Sequence, residues 1–398
     1  MEYQFSQRVT SLKPSAIREI LKNSSAPGVI PLSAGNPAPD AFPAEDIRAI
    51  SQQLLTDTPM EALQYSVTEG YTPLRQHVKE YMAKKHHVGS DFDEILITSG
   101  AQQVMDLLTK TMLNEGDTVL CESPSFIGSL NTFRSYQARL VGVEMEPDGI
   151  SIQGLQQALE TQKNIKYLYT IPNFQNPSGI TMSLEKRRKV YELCRDHNVL
   201  ILEDNPYGDL RFAGEDLPSI KSFDEAGIVV YAGSFSKVIS PGMRVGFVIG
   251  PQPVVQKMVV CKQGEDVHSN IWAQIVCHRF MTQRDYEAHL NRLRCIYRRK
   301  STVLLEAMET HFAPLITWNT FQGGLFAWCT LPDSIDMLEF VRRGSQRKAC
   351  VVPGTAFLTD EAQPCSCFRI NFSTPSDQQL EEGLQILGEL AREMSAGK

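Results

Sequence analysis

A lysine that directly follows a buried strand has the clearest chemical use in this sequence. Lys237 lies in the segment VYAGSFSKVISPGMRVGFVIG, after an apolar strand predicted at Ile228–Tyr231, and the segment contains no acidic residue. Desolvation would lower the pKa of this lysine and leave a neutral amine that attacks aldehydes. The hydroxyls of Ser234 and Ser236 and the guanidinium of Arg244 suit a phosphate dianion. An aldehyde-reactive lysine beside a phosphate site is what pyridoxal phosphate requires, although Lys237 alone could be an ordinary loop lysine.

Further candidates each follow a predicted apolar strand. They are the helix start Ser99-Gly100-Ala101-Gln102 after Glu94–Thr98, Phe126 after Thr118–Glu122, Asn176 after the strand beginning at Tyr167, and Asp204 after Val199–Leu202. Strands alternate with helices from Glu94 to Gly250, which predicts a mostly parallel sheet covered on both faces. These candidates and Ser234 are therefore expected at the carboxyl edge of the sheet, where ligands of such folds bind.

Each candidate has a chemical interpretation and a structural alternative. The free N–H groups at a helix start accept anions, but many α/β turns share this pattern. The ring of Phe126 could stack on a flat ligand or belong to the core. Asn176 precedes a proline and could simply form a turn. Asp204 could cap a helix; otherwise its desolvated carboxylate needs a partner such as a pyridinium N–H.

Two arginines are also candidates. Arg369 lies within a short strand predicted at Phe368–Phe372, where its charge needs an anion. That anion is either a structural acidic side chain or a substrate carboxylate gripped in bidentate fashion. Arg18 lies off the apolar face of a helix predicted at Pro14–Lys22, where a solvated charge is the simplest interpretation.

The composition limits the classes of protein to which the chain can belong. Its 398 residues carry a formal net charge of −7, which disfavours binding to nucleic acid or to an anionic membrane. The nine cysteines include no C-x-x-C pair, so no metal site is predicted, and reduced thiols in a cytoplasmic protein are expected. No segment has the character of a signal peptide or a membrane-spanning helix. A nicotinamide oxidoreductase is disfavoured because the G-x-G-x-x-G fingerprint is absent.

Three motifs make the candidates more specific together than apart. S-F-S-K-x6-R-x-G-F contains Lys237, I-P-x-x-Q-N-P-[ST]-G contains Asn176, and D-x-x-Y joins Asp204 to Tyr207. Over nearly its whole length the chain resembles the fold-type I pyridoxal phosphate enzymes. The resemblance is close to the subgroup of 2-aminoadipate and kynurenine aminotransferases, which also includes the aminotransferase half of MocR-type regulators.

The resemblance implies a role for each candidate. Lys237 would hold pyridoxal 5'-phosphate and move a proton as general base and then acid, while Asp204 would contact the ring nitrogen. Tyr207 and Asn176 would bind the 3-oxygen of the cofactor, and Asn176 would also contact substrate. Arg369 would bind the α-carboxylate of the amino acid. The helix start at residues 99–102 and the residues Ser234, Ser236 and Arg244 would bind the phosphate.

Other implied contacts involve the N-terminal loop and a second subunit. Gly35 would face the substrate carboxylate, and Arg18 would meet a distal carboxylate. Tyr65 would reach the cofactor phosphate of the neighbouring subunit, so a homodimer with shared active sites is expected. Phe126 stands where relatives usually have tyrosine, and Asn36 where a more apolar residue is usual, so substrate preference is open at both positions.

The implied function is an aminotransferase acting between an L-amino acid and a 2-oxo acid such as 2-oxoglutarate. The amino acid would be of 2-aminoadipate, aromatic or branched-chain type. A pyridoxal phosphate β-lyase would use the same lysine. An amino-acid-sensing module of a MocR-type regulator is the other alternative. Such regulators carry an N-terminal winged helix, for which a match beginning within the first few tens of residues is expected to leave no room.

The expected architecture is a three-layer α/β sandwich with a smaller α+β domain, as in fold-type I transferases. The predicted division is an N-terminal arm with part of the small domain (1–43), a large cofactor domain (44–285) and a small C-terminal domain (286–398). The last helix is predicted at Pro375–Glu393 with Thr374 as its N-cap.

Overall fold

Two β-sheets organise the protein, a computed structural model of which describes residues 3–10 and 27–396. Within these residues the large sheet has eight strands: Asp93–Thr98 (β1), Thr118–Ser123 (β2), Arg139–Glu146 (β3), Gly149–Ile150 (β4), Ile165–Thr170 (β5), Leu200–Asn205 (β6), Val229–Ser234 (β7) and Gly246–Pro251 (β8). The small sheet contains Thr317–Trp318 (β9), Phe326–Thr330 (β10), Val352–Pro353 (β11) and Cys367–Asn371 (β12). The strand orders are β1-β8-β7-β6-β5-β2-β3-β4 and β11-β12-β10-β9.

Helices connect the strands and cover the sheets. The α-helices are Gln7–Thr10 (α1), Ala44–Asp57 (α2), Pro59–Leu63 (α3), Thr72–His86 (α4), Ala101–Met112 (α5), Ile127–Ser135 (α6), Ile152–Thr161 (α7), Leu184–Asp196 (α8), Gln252–Gln263 (α9), Ile271–Gln283 (α10), Tyr286–His311 (α11), Met337–Gln346 (α12) and Asp377–Ala396 (α13). Short 3-10 helices lie at Pro39–Ala41, Gly208–Leu210, Lys221–Phe223, Pro241–Met243 and Gly354–Phe357.

Strand direction explains why the candidate residues meet. Strands β3, β2, β5, β6 and β7 are parallel to their neighbours in this order. Strand β8 is antiparallel to both β7 and β1. Because two reversals restore the direction, β1 runs the same way as β7, and its carboxyl end lies at the same edge. The helix start after β1 therefore joins the residues that follow β2, β5, β6 and β7.

Apolar residues on both faces of the large sheet place it between two helical layers. In β6, Ile201 belongs to a buried cluster that includes Val190 of α8. The next residue, Leu202, faces the other way and belongs to the cluster that includes Leu108 of α5. Full burial of each such side chain contributes about 1.5–3 kcal/mol. The predicted α/β class with a mostly parallel sheet is confirmed.

The segment before residue 43 is joined to the small sheet. The N–H of Ile30 donates to the carbonyl of Lys348 at 2.8 Å, and the N–H of Asn371 in β12 donates to the carbonyl of Leu32 at 2.7 Å. These bonds agree with an N-terminal segment shared with the small domain, and the exact division at residues 43 and 285 stays a prediction. The predicted helix Pro14–Lys22, with Arg18, lies outside the described residues.

The start of the last helix differs from the prediction. Helix α13 begins at Asp377, and the hydroxyl of Ser376 accepts from the N–H of Gln379 at 3.1 Å. The side chain of Gln379 in turn accepts from the N–H of Ser376 at 2.9 Å, which is a capping box. Thr374 is not the N-cap, because its hydroxyl donates instead to the carbonyl of Asn36 at 3.0 Å.

Within residues 3–10 and 27–396, no helix is long and apolar enough to cross a bilayer.

Candidate active site

Lys237 lies just beyond β7 with its amine directed at a backbone carbonyl. Its Nζ donates to the carbonyl oxygen of Gly35 at 2.7 Å. Burial, together with the positive charges of Arg369 and Arg244, lowers the pKa of Lys237 to about 8. A large fraction of the amine is therefore neutral near pH 8, which is the state that attacks a carbonyl carbon.

A candidate anion site lies where the start of α5 meets the turn after β7. The guanidinium of Arg244 donates to the carbonyl of Ser99 at 3.1 Å and to the hydroxyl of Ser236 at 3.4 Å. The hydroxyl of Ser234 accepts from the N–H of Ser236 at 3.1 Å. The N–H groups of Ala101 and Gln102, at the start of α5, have no partners within the helix and carry partial positive charge, whereas the N–H of Gln103 donates to the carbonyl of Gly100. Hydroxyls, N–H groups and a cation thus surround one position.

Gly100 allows this close approach. Its φ of 75° lies in the left-handed region that favours glycine. A Cβ at this position would lie 2.3 Å from Nη2 of Arg244, so any side chain would displace the guanidinium.

The hydroxyl of Ser99 is occupied by an internal network. It donates to Asp266 Oδ2 and lies 3.1 Å from the hydroxyl of Ser269. The buried ammonium of Lys262 contacts the same carboxylate at 2.7 Å and the same serine at 2.9 Å. The predicted residue Ser99 therefore lies beside the candidate anion site, but its hydroxyl holds the loop at residues 266–269. No motif in the sequence indicated that this loop takes part.

Asp204 ends in a buried carboxylate with one satisfied oxygen. Its Oδ2 accepts from the hydroxyl of Tyr169 at 2.8 Å, whereas Oδ1 has no hydrogen-bond partner among the described residues. Burial raises the pKa of Asp204 to about 7, and the hydrogen bond from Tyr169 opposes this rise. The alternative role as a helix cap is wrong, because the helical turn that follows begins only at Gly208 and receives no side-chain cap.

Asn176 connects two other predicted residues. Its Nδ2 lies 3.4 Å from the hydroxyl of Tyr207, and its Oδ1 accepts from Nη1 of Arg369 at 2.8 Å. All three side chains are buried. The Q-N-P-S-G turn and the D-x-x-Y segment are thereby joined to β12, so both sheets contribute to one site.

Arg369 is a buried cation held by neutral oxygen atoms. Its Nη2 donates to the carbonyls of Ser33 at 2.9 Å and Ala34 at 3.3 Å, and its Nε has no partner in the described part of the chain. Its guanidinium carbon lies 4.1 Å from the ring centroid of Phe326 and 5.1 Å from that of Phe357. Burial lowers the pKa of Arg369 to about 10. The structural salt bridge that the sequence left open does not form with any acidic residue of these ranges.

Phe126 precedes α6 and is half-buried. Its ring packs over Gly128, where a Cβ would lie 2.6 Å from the ring. The side chain of Gln102 donates to the carbonyl of Gly128 and the hydroxyl of Thr132, so only the backbone of Gln102 remains for an anion. Phe126 therefore lies beside the start of α5 with part of its ring exposed.

Two predicted residues lie at the margin of this cluster. Asn36 is exposed, and its carbonyl accepts from Ser373 and Thr374. Tyr65 is 82% exposed and meets His268 edge-on at 5.9 Å between ring centroids. No described residue of the same chain brings Tyr65 to the anion site by a hydrogen bond.

Sequence reasoning missed several residues that hold the site together. Glu122 is fully buried, and its carboxylate accepts from the hydroxyl of Thr170 at 2.5 Å and from Gln175 Nε2 at 3.1 Å. Gln175 also accepts from Ser178, so Glu122 fixes the turn that carries Asn176. Burial raises the pKa of Glu122 to about 7. An acidic residue at the end of an apolar strand was the available signal.

The residues of this cluster fit pyridoxal phosphate. The unpartnered Oδ1 of Asp204 can accept from a protonated ring nitrogen, and the site at Arg244 can hold a phosphate. Lys237 has a lowered pKa, which suits attachment of an aldehyde. The cluster therefore offers a group for each polar part of the cofactor: a carboxylate for the ring nitrogen, a cation for the phosphate and an amine for the aldehyde.

Comparison with known proteins gives the family. The family model described as aminotransferase class I and II matches residues 27–387. The chain belongs to the class I and II aminotransferases. This aminotransferase is 33% identical over 396 residues to aromatic-amino-acid aminotransferase 1 of Thermococcus litoralis, covering 98% of the chain and 95% of that protein. It is 34% identical over 387 residues to 2-aminoadipate transaminase of Thermus thermophilus, covering 96% and 95%.

Solved structures agree with this assignment. The kynurenine aminotransferase of Pyrococcus horikoshii superposes with a TM-score of 0.94 at 34% identity, covering 98% of this chain and 97% of that one.

The sequence of the transcriptional regulator YisV of Bacillus subtilis is also similar, with 31% identity over 96% of the chain and 77% of the regulator. The predicted subgroup and its relation to MocR-type regulators are confirmed. The aminotransferase is an enzyme that uses pyridoxal phosphate.

Proposed function

We propose that this aminotransferase moves an amino group from an L-amino acid of aromatic, 2-aminoadipate or branched-chain type to a 2-oxo acid such as 2-oxoglutarate. The observation that carries the proposal is the pair of cations, half-buried Lys237 and buried Arg369, whose hydrogen bonds run only to neutral oxygen atoms. An amino acid needs both: an amine that exchanges at a carbonyl carbon, and a cation that binds its carboxylate. The names of similar proteins support the aromatic and 2-aminoadipate classes.

The residues have separate tasks in this proposal. Arg369 binds the α-carboxylate through the guanidinium N–H groups that donate to Ser33, Ala34 and Asn176 in this structure. Pyridoxal phosphate, when bound, supplies a ring that withdraws electrons from the α-carbon. Asp204 keeps the ring nitrogen protonated, which maintains that withdrawal. Lys237 Nζ would take the proton from the α-carbon as a base and deliver it as an acid to the aldehyde carbon of the cofactor, and a pKa of about 8 suits both steps.

A homodimer is part of the proposal because Tyr65 lies in an exposed apolar surface. Met60, Leu63, Tyr65 and Val67 are 65%, 71%, 82% and 52% exposed. Val267, in the loop at residues 266–269, is 50% exposed. Contiguous exposed apolar groups are typical of interfaces. Pairing would bury these side chains and bring Tyr65 to the phosphate of a second subunit.

A cytoplasmic location is also part of the proposal. The nine cysteines, all unpaired, support it.

A panel of amino donors tests the substrate class. Purified enzyme with added pyridoxal phosphate is incubated with 2-oxoglutarate and each donor, and glutamate is measured. Kynurenine, phenylalanine, tyrosine, 2-aminoadipate and leucine cover the proposed classes. Preference for one of these over alanine and aspartate supports the proposal. Comparison of 2-aminoadipate turnover with and without Arg18→Ala tests whether that arginine reads a distal carboxylate.

The same assay separates the two alternatives. A β-lyase would release pyruvate and ammonia from donors with a leaving group at the β-carbon, without any need for 2-oxoglutarate. A sensing module would bind the cofactor and amino acids but give neither glutamate nor pyruvate. Either result contradicts the proposed reaction.

A further inference from the structure

A chain of hydroxyl groups connects Asp204 to the helix that follows Phe126. The hydroxyl of Tyr169 in β5 donates to Asp204 Oδ2 at 2.8 Å and accepts from the hydroxyl of Ser129 in α6 at 2.9 Å. Tyr169, Ser129 and Asp204 are all buried. Because the tyrosine oxygen accepts from Ser129, its own hydrogen is directed to the carboxylate.

The fold leaves the Tyr169 side chain little choice of position. Tyr169 pairs with Leu202 in the parallel register of β5 and β6, so Asp204 lies on the same face two residues further along. The other side of the Tyr169 ring meets Phe133 of α6, with centroids 5.4 Å apart and the rings nearly perpendicular. The hydroxyl is therefore held at the carboxyl edge of the sheet, next to Asp204.

The titratable groups around Asp204 explain why this contact matters. Glu122, Tyr207 and Tyr231 lie near enough that the negative charge of Asp204 raises the pKa of each. None of them stabilises that charge, and burial opposes it as well. The hydrogen bond from Tyr169 is the interaction that lowers the pKa of Asp204.

We propose that Tyr169 is a positioning residue that keeps Asp204 ionised and aimed at the ring nitrogen of pyridoxal phosphate, with Ser129 orienting the tyrosine hydroxyl. This inference rests on the proposed role of Asp204. Without the donor, a buried carboxylate and ring nitrogen favour the neutral pair, in which the proton moves to the carboxyl group. The unprotonated ring then withdraws fewer electrons from the substrate.

The test uses holoenzyme reconstituted with pyridoxal phosphate labelled with ¹⁵N in the ring. In Tyr169→Phe we expect the ring-nitrogen resonance to move toward its unprotonated position and the Kd of the cofactor to rise about tenfold, which is one pKa unit of lost stabilisation. We expect kcat to fall with KM little changed. Ser129→Ala should give a smaller change in the same direction, because it removes only the orienting bond.

Tyr167→Phe is the matched control. Tyr167 lies on the same strand, is fully buried, bonds the hydroxyl of Thr109 at 2.9 Å, and packs on the same Phe133 ring at 5.6 Å. Tyr167→Phe therefore removes an equivalent hydroxyl that does not contact Asp204. The ring-nitrogen resonance and the Kd of the cofactor in this variant should match those of the unmodified enzyme. Equal effects in the two variants would show general loosening of the sheet and overturn the proposal.

Asp204→Asn separates this inference from the role on which it rests. If Asp204→Asn shifts the ring-nitrogen resonance and Tyr169→Phe does not, the role of Tyr169 fails and that of Asp204 stands. If neither variant shifts it, the assignment of Asp204 to the ring nitrogen fails as well.

Discussion

Lys221 is buried and Lys237 is half-buried, and their ammonium groups have different neighbours. Lys221 Nζ contacts Asp93 at 2.7 Å and Asp224 at 2.8 Å, and all three side chains are essentially inaccessible. Lys237 Nζ instead donates to the carbonyl of Gly35. Lys262 resembles Lys221, because it is bonded to Asp266. A cation paired with carboxylates inside the protein is satisfied, whereas one bonded to a carbonyl retains its charge for a ligand.

Arg369 extends the comparison to the guanidinium group. It is as buried as the structural cations, but its partners are two carbonyls and an amide oxygen. The contrast teaches that burial alone does not mark a functional cation. Lack of an anionic partner is not sufficient either, because the buried guanidinium of Arg187 also bonds only to neutral oxygen atoms among the described residues. Lys237 and Arg369 combine this property with a position at the candidate site. The two groups of cations should therefore respond in opposite ways to substitution.

The largest effect is expected from Lys237→Ala. Removal of the amine that moves the α-proton should lower kcat by about 10²–10⁴-fold, because general acid–base catalysis contributes this range. The thermal unfolding midpoint should change little. Steady-state kinetics and a thermal melt of the same preparation provide the measurement. Turnover within tenfold of the unmodified enzyme would contradict the role of Lys237.

Lys221→Met should give the opposite pattern. It leaves Asp93 and Asp224 buried without a cation, and breaking such a pair costs about 3–5 kcal/mol. We expect a large fall in the free energy of unfolding, measured by denaturant titration. The kcat of the folded fraction should be unchanged, since Lys221 does not contact the site. Loss of kcat with normal stability would break the distinction between the two groups.

Arg369→Leu should reduce kcat/KM by roughly 10²-fold, because truncating one partner of a buried charged contact costs about 2–5 kcal/mol. The effect should appear mainly in KM for the amino acid, with the Kd of pyridoxal phosphate little altered. Fluorescence titration of the cofactor beside steady-state kinetics gives both values. Equal loss of cofactor and substrate affinity would assign Arg369 to structure.

A smaller effect concerns pH. The pKa of Lys237 is lowered to about 8, so the amine is protonated and unreactive below this pH and neutral above it. Covalent capture of pyridoxal phosphate by the apoenzyme should therefore accelerate as pH rises, with a midpoint near 8 in stopped-flow absorbance. In Arg369→Leu the midpoint should move upward, because a positive charge that disfavours the ammonium form is lost. A midpoint near the ordinary lysine pKa in both proteins would contradict the idea.

Much of this arrangement could be predicted from sequence, because its signals are local. Apolar runs predicted most strands of the large sheet, although not β3 or β4. Residues placed at the ends of the predicted strands, such as Asp204 and Asn176, meet at one edge for topological reasons. The turn chemistry after β7 likewise identified Lys237. These features depend on a few adjacent residues and not on the details of packing.

The remainder depends on contacts between distant segments. The bond from Tyr169 to Asp204 requires the register of β5 against β6, which no local pattern specifies. The hydroxyl of Ser99 is diverted by Asp266, a residue 167 positions away. The cap of α13 was misplaced by two residues because Ser and Thr both suit an N-cap, and only the tertiary bond from Thr374 to Asn36 decides between them.

The three successive carbonyls of Ser33, Ala34 and Gly35 accept hydrogen bonds from the side chains that would contact the reactants. These side chains are the two cations that an amino acid would engage, and the carbonyls leave their positive charges without an anionic partner among the described residues. Arrival of that molecule exchanges one set of polar contacts for another, so the free energy of the new contacts is partly offset by the loss of the old ones. An enzyme that binds and releases two different substrates at the same site benefits from such an exchange of contacts.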